Sequence, residues 1–144
     1  MSQKTSHLIS GVHHVAINVK SLDESLLFYR DLLGFEVLYQ SAASIFLKIP
    51  TSAKPESVIA LLETPAWEGA PPAIDWSKRL GNKFNHFGFR TLSKEAVDEM
   101  GTFLKEKGVR ILKGPYDRSD GRAVYFLDPN DYTIEYFYLD ESLL

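Results

Sequence analysis

Two patterns of apolar residues follow one another along the first half of the chain. Between Ser21 and Gly34 the apolar residues recur at helical spacing, and Ser21 with Glu24 forms the S-x-x-E sequence that often begins a helix. Gly34 offers the left-handed conformation that ends one. The pattern predicts an amphipathic helix that follows a strand, GVHHVAINV, and precedes three more, FEVLYQ, SIFLKI and SVIALLE.

The second half of the chain repeats this order. The strand-like segment FNHFGFR leads to a helix that Ser93 begins and Gly108 ends, and three further strands follow, at VRILKG, at residues 121–127 and at YTIEYFY. His14 lies 20 residues before Gly34 and His86 lies 22 before Gly108, so two histidines hold matching positions in two copies of one unit. The predicted fold class is α+β, with two tandem βαβββ modules forming a curved mixed sheet around a metal-binding cleft.

A long segment without periodicity separates the two copies. It reads TPAWEGAPPAIDWSKRLGN and is rich in Pro, Gly and Trp. Loops of this length are often functional, so Trp67 and Trp76 are candidate substrate-binding residues, with packing against the core as the alternative. We predict a single domain, 1–144, made of module one at about 11–63, a connecting loop at 64–82 and module two at about 83–138.

The composition of the chain excludes some classes of partner and restricts the residues that could bind a metal. The net charge is -3 and both signs are interspersed, so no basic stripe exists for nucleic acid or an anionic membrane. The first ten residues lack the apolar run of a secretion signal, and no segment approaches the roughly 18 apolar residues that span a bilayer, so we expect a cytoplasmic protein. Because the chain has no cysteine, a metal site must use His, Asp and Glu.

Three of these side chains form a candidate metal site. Strand alternation sends His13 and His14 to opposite faces, and a lone strand histidine is often structural. If the two modules face one cleft, however, His14 and His86 converge in it. Glu135 in YTIEYFY lies among apolar residues, where a carboxylate needs a cation, hydrogen bonds or solvent. Two histidines and a carboxylate suit Fe(II), Mn(II) or a related divalent ion.

Several segments carry a family resemblance: HVAINV with FYRDLLGFEV, then NHFGFR, then YFLDPNDYTIE. Over roughly residues 11 to 138 the chain resembles the vicinal oxygen chelate superfamily of glyoxalases, fosfomycin-resistance proteins, methylmalonyl-CoA epimerases and extradiol dioxygenases. The resemblance implies one divalent metal ion, with Fe(II) or Mn(II) favoured and Ni, Co or Zn as alternatives. It assigns the ligands to His14, His86 and Glu135, and it makes His13 the neighbour that faces away.

A fourth ligand is the first open question. Glyoxalase I and the epimerases carry a Glu or Gln on the last strand of module one, where this chain has Ala60. Glu63 lies 49 residues after His14, the same separation as His86 to Glu135, so spacing alone nominates it. Alternation places Glu63 on the face opposite Ala60, and we therefore favour three protein ligands with open metal positions.

The reaction is the second open question. A site with two histidines, one carboxylate and open positions is typical of non-haem Fe(II) oxygenases. We therefore expect dioxygenase-type chemistry on a small oxygen-chelating substrate, with Tyr125 as the catalytic tyrosine that the extradiol signature implies. The alternatives are a glyoxalase-like lyase or isomerase, a fosfomycin-type thiol transferase, and a metal-free drug-binding protein of the bleomycin-resistance kind.

The segment 118–130, which begins RSDG and ends FLDPN, also resembles the last-module loop of the fosfomycin thiol transferases. Ser119, Gly121 and Tyr125 fit that loop. Ala16 replaces the threonine that the resemblance implies two residues after the first ligand, and Pro115 replaces the lysine expected before the loop. Arg122, in preference to Arg118, is a candidate to pair with an anionic substrate group. The predicted substrate-binding residues are Arg122, Trp67, Trp76 and Ser119, and the exposed edges of each half-sheet predict a homodimer.

Overall fold

The structure is a computed structural model that describes residues 6–8, 12–51, 57–64 and 84–143. The chain divides into two compact units, Met1–Trp67 and Glu68–Leu144, which contain modules one and two. Each contains a four-stranded mixed sheet and a helical segment, so the predicted α+β class and the βαβββ repeat are confirmed. Trp67 and Trp76 lie outside the described residues. No helix in the described ranges has the length and apolar character needed to cross a membrane.

Module one follows the predicted order of elements. These are a 3-10 turn at Ser6–Leu8, β1 (His14–Val19), α1 (Leu22–Leu26) continued by a π-helical segment (Leu27–Leu32), β2 (Glu36–Gln40), β3 (Ser44–Lys48) and β4 (Val58–Glu63). The strand order is β1-β4-β3-β2, with β1 parallel to β4 and the other neighbours antiparallel. The first strand therefore lies beside the last.

The helix of module one begins and ends where its sequence predicts. Ser21 has an extended backbone, and its hydroxyl accepts a hydrogen bond from the Glu24 N–H at 3.2 Å, while Gly34 ends the segment with a φ of +80°. The π-helical continuation was not predicted. The adjacent residues Phe28 and Tyr29 in this segment are both buried, with ring centroids 5.0 Å apart.

The sheet of module one has two unlike faces. One is the core face, with the buried apolar residues Ile17, Val19, Ile45, Leu47, Ile59 and Leu61 and with Glu63 at the end of β4. The other carries His14 and Ala16, which pair with Val58 and Ala60 on β4. Tyr39 on this second face keeps 54% of its surface exposed. The histidine predicted as a ligand therefore lies on the face opposite the core residues.

Module two has the same topology. Its elements are β5 (Phe87–Thr91), α2 (Lys94–Glu106), β6 (Ile111–Arg118), β7 (Gly121–Leu127), β8 (Thr133–Leu139) and a 3-10 turn at Glu141–Leu143. The order is β5-β8-β7-β6, again with the first strand parallel to the last. The Ser93 hydroxyl caps α2 by accepting from the Ala96 N–H at 3.2 Å, and Gly108 ends the helix turn with a φ of +73°.

Helix α2 covers one face of this sheet and packs against all four strands. Its Val97 and Leu104 are fully buried. Gly101 faces β6 so closely that an added Cβ would lie 2.6 Å from the Pro115 ring. The close approach of helix and sheet therefore depends on a glycine, and the candidate site lies on the opposite face.

Candidate metal site

Strand pairing gathers three of the predicted site residues in module two. Strand β8 lies between β5 and β7, and Glu135 pairs with Gly88 on one side and with Tyr125 on the other. Paired residues share a face of a sheet, and the His86 ring beside β5 reaches the Glu135 carboxylate. His86, Tyr125 and Glu135 therefore form one cluster on the face that α2 leaves uncovered.

Glu135 is buried, with 7% of its surface exposed. One carboxylate oxygen, Oε2, lies 3.0 Å from His86 Nε2, and the other accepts a hydrogen bond from the Arg118 guanidinium. The Tyr125 hydroxyl is also hydrogen-bonded to this carboxylate. A carboxylate this buried is tolerated only with such partners, as the sequence predicted.

The His86 ring lies between two oxygen acceptors. Its Nδ1 is 2.5 Å from the Asn85 side-chain oxygen, and its Nε2 faces Glu135. A neutral imidazole carries one N–H and cannot donate to both. A second proton or a metal cation at Nε2 satisfies both contacts. The imidazole nitrogen and the carboxylate oxygen are also ligand atoms that suit a divalent metal ion.

His14 lies in the other unit, at the first position of β1, and its ring is exposed. The prediction that His13 faces away is wrong. Because β1 begins at His14, strand alternation does not extend to His13, and the two Nδ1 atoms lie 3.0 Å apart with the rings edge to face. No group of three or more His, Asp or Glu side chains suited to a metal occurs in the part of the chain that the structure describes.

The position of a fourth ligand can be read from the pairing within each module. Ala16 pairs with Ala60 just as Gly88 pairs with Glu135, so Ala60 is the counterpart of the glutamate. Glu63 lies on the opposite face, where its Oε2 accepts from the Leu22 N–H at the start of α1 at 3.1 Å. The nomination of Glu63 by spacing alone is therefore wrong.

Tyr125 is 5% exposed, and its ring packs edge-on against His86 at a centroid distance of 5.5 Å. Burial raises the pKa of Tyr125 above its ordinary value, and the negative charge of Glu135 and the hydrogen bond to it raise that pKa further. The hydroxyl is therefore protonated at neutral pH. It is suited to donate a hydrogen bond rather than to act as a base.

The two arginines of the predicted loop differ in surroundings. Arg118 contacts Glu135 and also Asp120, at 2.9 Å, on the face of the site. Arg122 lies on the face covered by α2, in ion pairs with Asp98 at 2.7 Å and Asp117 at 3.0 Å. Arg122 was preferred from sequence for substrate binding, but the geometry favours Arg118, because only Arg118 lies beside the cluster.

Two further side chains on this face were missed from sequence. Tyr116 stacks on Tyr125 with centroids 6.4 Å apart, and the Lys113 ammonium lies 4.3 Å above the Tyr116 ring. Lys113 pairs with Tyr125 across an irregular stretch of β6, which was not predictable without the register. Ser119 is exposed in the turn between β6 and β7, so its role in substrate binding stays a prediction.

Two known proteins are similar to this chain over most of their length. The chain is 30% identical over 129 residues to the fosfomycin resistance protein FosX of Listeria monocytogenes, covering 89% of each protein. A crystal structure of FosX matches with a TM-score of 0.69 at 25% identity, over 94% of this chain and 98% of that one. The metallothiol transferase FosB of Staphylococcus epidermidis is 29% identical over 128 residues, 88% of this chain and 80% of the relative.

A third relative is much longer. A manganese-dependent 2,3-dihydroxybiphenyl 1,2-dioxygenase of Geobacillus genomosp. 3 is 26% identical over 139 residues, which are 90% of this chain and 37% of that protein. A family model for the Glyoxalase/Bleomycin resistance protein/Dioxygenase superfamily matches residues 11–136. The resemblance found in the sequence is thereby confirmed, and the chain belongs to this superfamily.

Proposed function

We propose that this protein is a divalent-metal-dependent enzyme whose ligands are His86 and Glu135 together with His14. The observation that carries the proposal is the His86 ring, which has an oxygen acceptor at each nitrogen and the carboxylate directly in front of Nε2. The names of two relatives, the metallothiol transferase and the manganese-dependent dioxygenase, support a metal as cofactor. When bound, the metal supplies Lewis-acid stabilisation of negative charge on substrate oxygens.

The residues around the cluster indicate the class of substrate. Arg118 and Lys113 place two cationic groups on the face that carries Glu135. Tyr116 lies between them on β6 and stacks on Tyr125, which pairs with Lys113. Cations of this kind favour an anionic substrate group. When substrate is bound, the single Tyr125 O–H turns from the Glu135 carboxylate and donates its hydrogen bond to the reacting oxygen. We therefore infer a small, oxygen-rich, anionic substrate.

The reaction we favour is the addition of a nucleophile to an epoxide, as in fosfomycin modification. Both fosfomycin-related relatives match this chain over most of their length, whereas the dioxygenase match covers 37% of its protein. In such a reaction the nucleophile bonds to an epoxide carbon, the ring C–O bond breaks, and the released oxygen takes a proton. Ala16 stands in place of the threonine two residues after the first ligand, and Pro115 in place of the lysine before the loop, so Lys113 and Arg118 take over the anion contact.

Dioxygenase chemistry is the second candidate. Three protein ligands with Ala60 at the fourth position would leave metal positions open for substrate and dioxygen. The similarity to the manganese-dependent dioxygenase supports the same chemistry. Oxygen consumption with a panel of catechols, after loading with Fe(II) or Mn(II), tests this branch.

The proposal is tested first by metal analysis of protein purified without chelator, beside His86→Ala. Bound metal in the wild type and its loss in the variant are expected. Phosphorus NMR then follows fosfomycin with Mn(II), in water alone and with glutathione, and chromatography follows other epoxides under the same conditions. Binding of aromatic drugs by protein that holds no metal, with no turnover, would contradict the enzyme and indicate a binding protein.

A further inference from the structure

Both candidate ligand histidines contact the residue immediately before them in the same way. In module two the Asn85 side-chain oxygen lies 2.5 Å from His86 Nδ1. In module one the His13 Nδ1 lies 3.0 Å from His14 Nδ1. The preceding residue therefore contacts Nδ1, and not Nε2, of each candidate ligand.

The contact with Asn85 fixes which nitrogen of His86 can bind a metal, whereas the contact with His13 allows two tautomers of His14. The amide oxygen of Asn85 only accepts, so His86 donates its Nδ1–H and keeps Nε2 for the cation that Glu135 faces. Between His13 and His14 one Nδ1 must carry the hydrogen. A hydrogen on His14 Nδ1 likewise leaves its Nε2 lone pair available.

We propose that His13 and Asn85 are positioning residues, each holding the Nδ1–H of the following histidine so that Nε2 binds the metal. This inference rests on the proposed metal site. Histidine ligands generally donate their second N–H to a neighbouring acceptor, which fixes the tautomer and ring orientation. Here the acceptor belongs to the preceding residue of the chain in both modules. It is the Asn85 amide oxygen in module two and the His13 imidazole nitrogen in module one.

The test uses the full chain and four single substitutions. Asn85→Ala and His13→Ala remove the acceptors, whereas Asn85→Asp keeps one and His13→Asn transplants the residue that module two uses. Calorimetric titration with Mn(II) and Zn(II) should show affinity lowered by about 10- to 100-fold in the two alanine variants. Asn85→Asp and His13→Asn should bind within about threefold of the wild type.

Heteronuclear NMR of the imidazole nitrogens in the metal-free chain gives a readout that needs no bound metal. We expect hydrogen on Nδ1 of His14 and His86 in the wild type, and its loss from Nδ1 of the histidine that follows each alanine substitution. Unchanged nitrogen signals and affinity in both alanine variants would overturn the inference. If no form binds metal, the proposed function fails, and Nδ1–H signals that depend on His13 and Asn85 still decide the positioning.

Discussion

At the scale of single residues, the chemistry of the site is set by how one buried carboxylate is shared. Glu135 contacts an imidazole, a guanidinium and a phenol, and each of these can donate a hydrogen bond to it. The surrounding face thus offers a basic ligand atom, a fixed positive charge and a neutral donor. These three properties can be separated by substitution.

Tyr125→Phe removes the neutral donor and keeps the ring packing. We expect turnover to fall by about 100-fold, the lower range for a positioned acid, because the hydroxyl no longer donates to the reacting oxygen. Metal affinity should fall less than turnover, by about 10-fold, the low end for a group that holds a ligand, since the phenol is hydrogen-bonded to Glu135 but is not itself a ligand. Steady-state kinetics and calorimetry measure the two effects. Tyr116→Phe is the matched control, and an equal loss of turnover there would contradict the role of Tyr125.

Arg118→Ala, with Arg122→Ala as its control, tests the role of the positive charge beside Glu135. Arg118 lies beside Glu135, so its loss should raise KM for an anionic substrate by about tenfold or more, in proportion to a charged hydrogen bond of about 1.5–3 kcal/mol. Arg122 pairs with Asp98 and Asp117 behind the sheet, so its loss should leave KM unchanged. It should lower the free energy of unfolding by no more than about 1 kcal/mol. Kinetics that respond to Arg122 alone would support the prediction made from sequence.

At the scale of elements, the hydrophobic pattern was sufficient for the order and type of nearly every segment. Serine caps and glycine stops act within a few residues, so they can be predicted from the sequence. The structure confirms them at Ser21, Gly34, Ser93 and Gly108. The π-helical segment was not predictable, because burial of the adjacent Phe28 and Tyr29 is a property of tertiary packing. The observed ends of some strands differ from the predicted ends for a similar reason. Strand β6, predicted from the segment VRILKG, extends to Arg118.

Glu63 connects the last strand of module one to the start of α1. Glu63→Ala should lower the free energy of unfolding by about 1 kcal/mol, since the Leu22 N–H and the positive end of the helix lose a partner. The bound metal content should remain that of the wild type. Denaturant unfolding and metal analysis are the measurements. Loss of metal without loss of stability would restore Glu63 as a ligand.

Gly101 sets the distance between α2 and β6. Gly101→Ala should destabilise the protein by about 1–3 kcal/mol, because the added Cβ meets the rigid ring of Pro115, and this exceeds the gain of about 1 kcal/mol in helix propensity. Thr102→Ala, one residue along on the exposed side of the helix, is the control and should be neutral or slightly stabilising. Thermal unfolding of the two variants measures the difference, and a stabilised Gly101→Ala would contradict the close packing.

At the scale of the whole molecule, the internal repeat made most of the site predictable. Matching the two copies identified His14 with His86 and Ala60 with Glu135, and the pairing within each module supports both matches. The contacts of Asn85, Lys113 and Arg118 were not predicted from the sequence, because they depend on side-chain direction and on the irregular register of β6. The homodimer and the convergence of His14 on His86 remain predictions, and light scattering tests the first.

The measurement that tests the central claim most directly is the metal content of four proteins: the wild type, His14→Ala, His86→Ala and Glu135→Ala, each purified without chelator. We predict about one divalent ion per chain in the wild type and almost none in any of the three variants, as a shared three-ligand site requires. His7→Ala is the matched control and should keep its metal. Wild-type protein without metal, or full metal content in His14→Ala, would contradict the account.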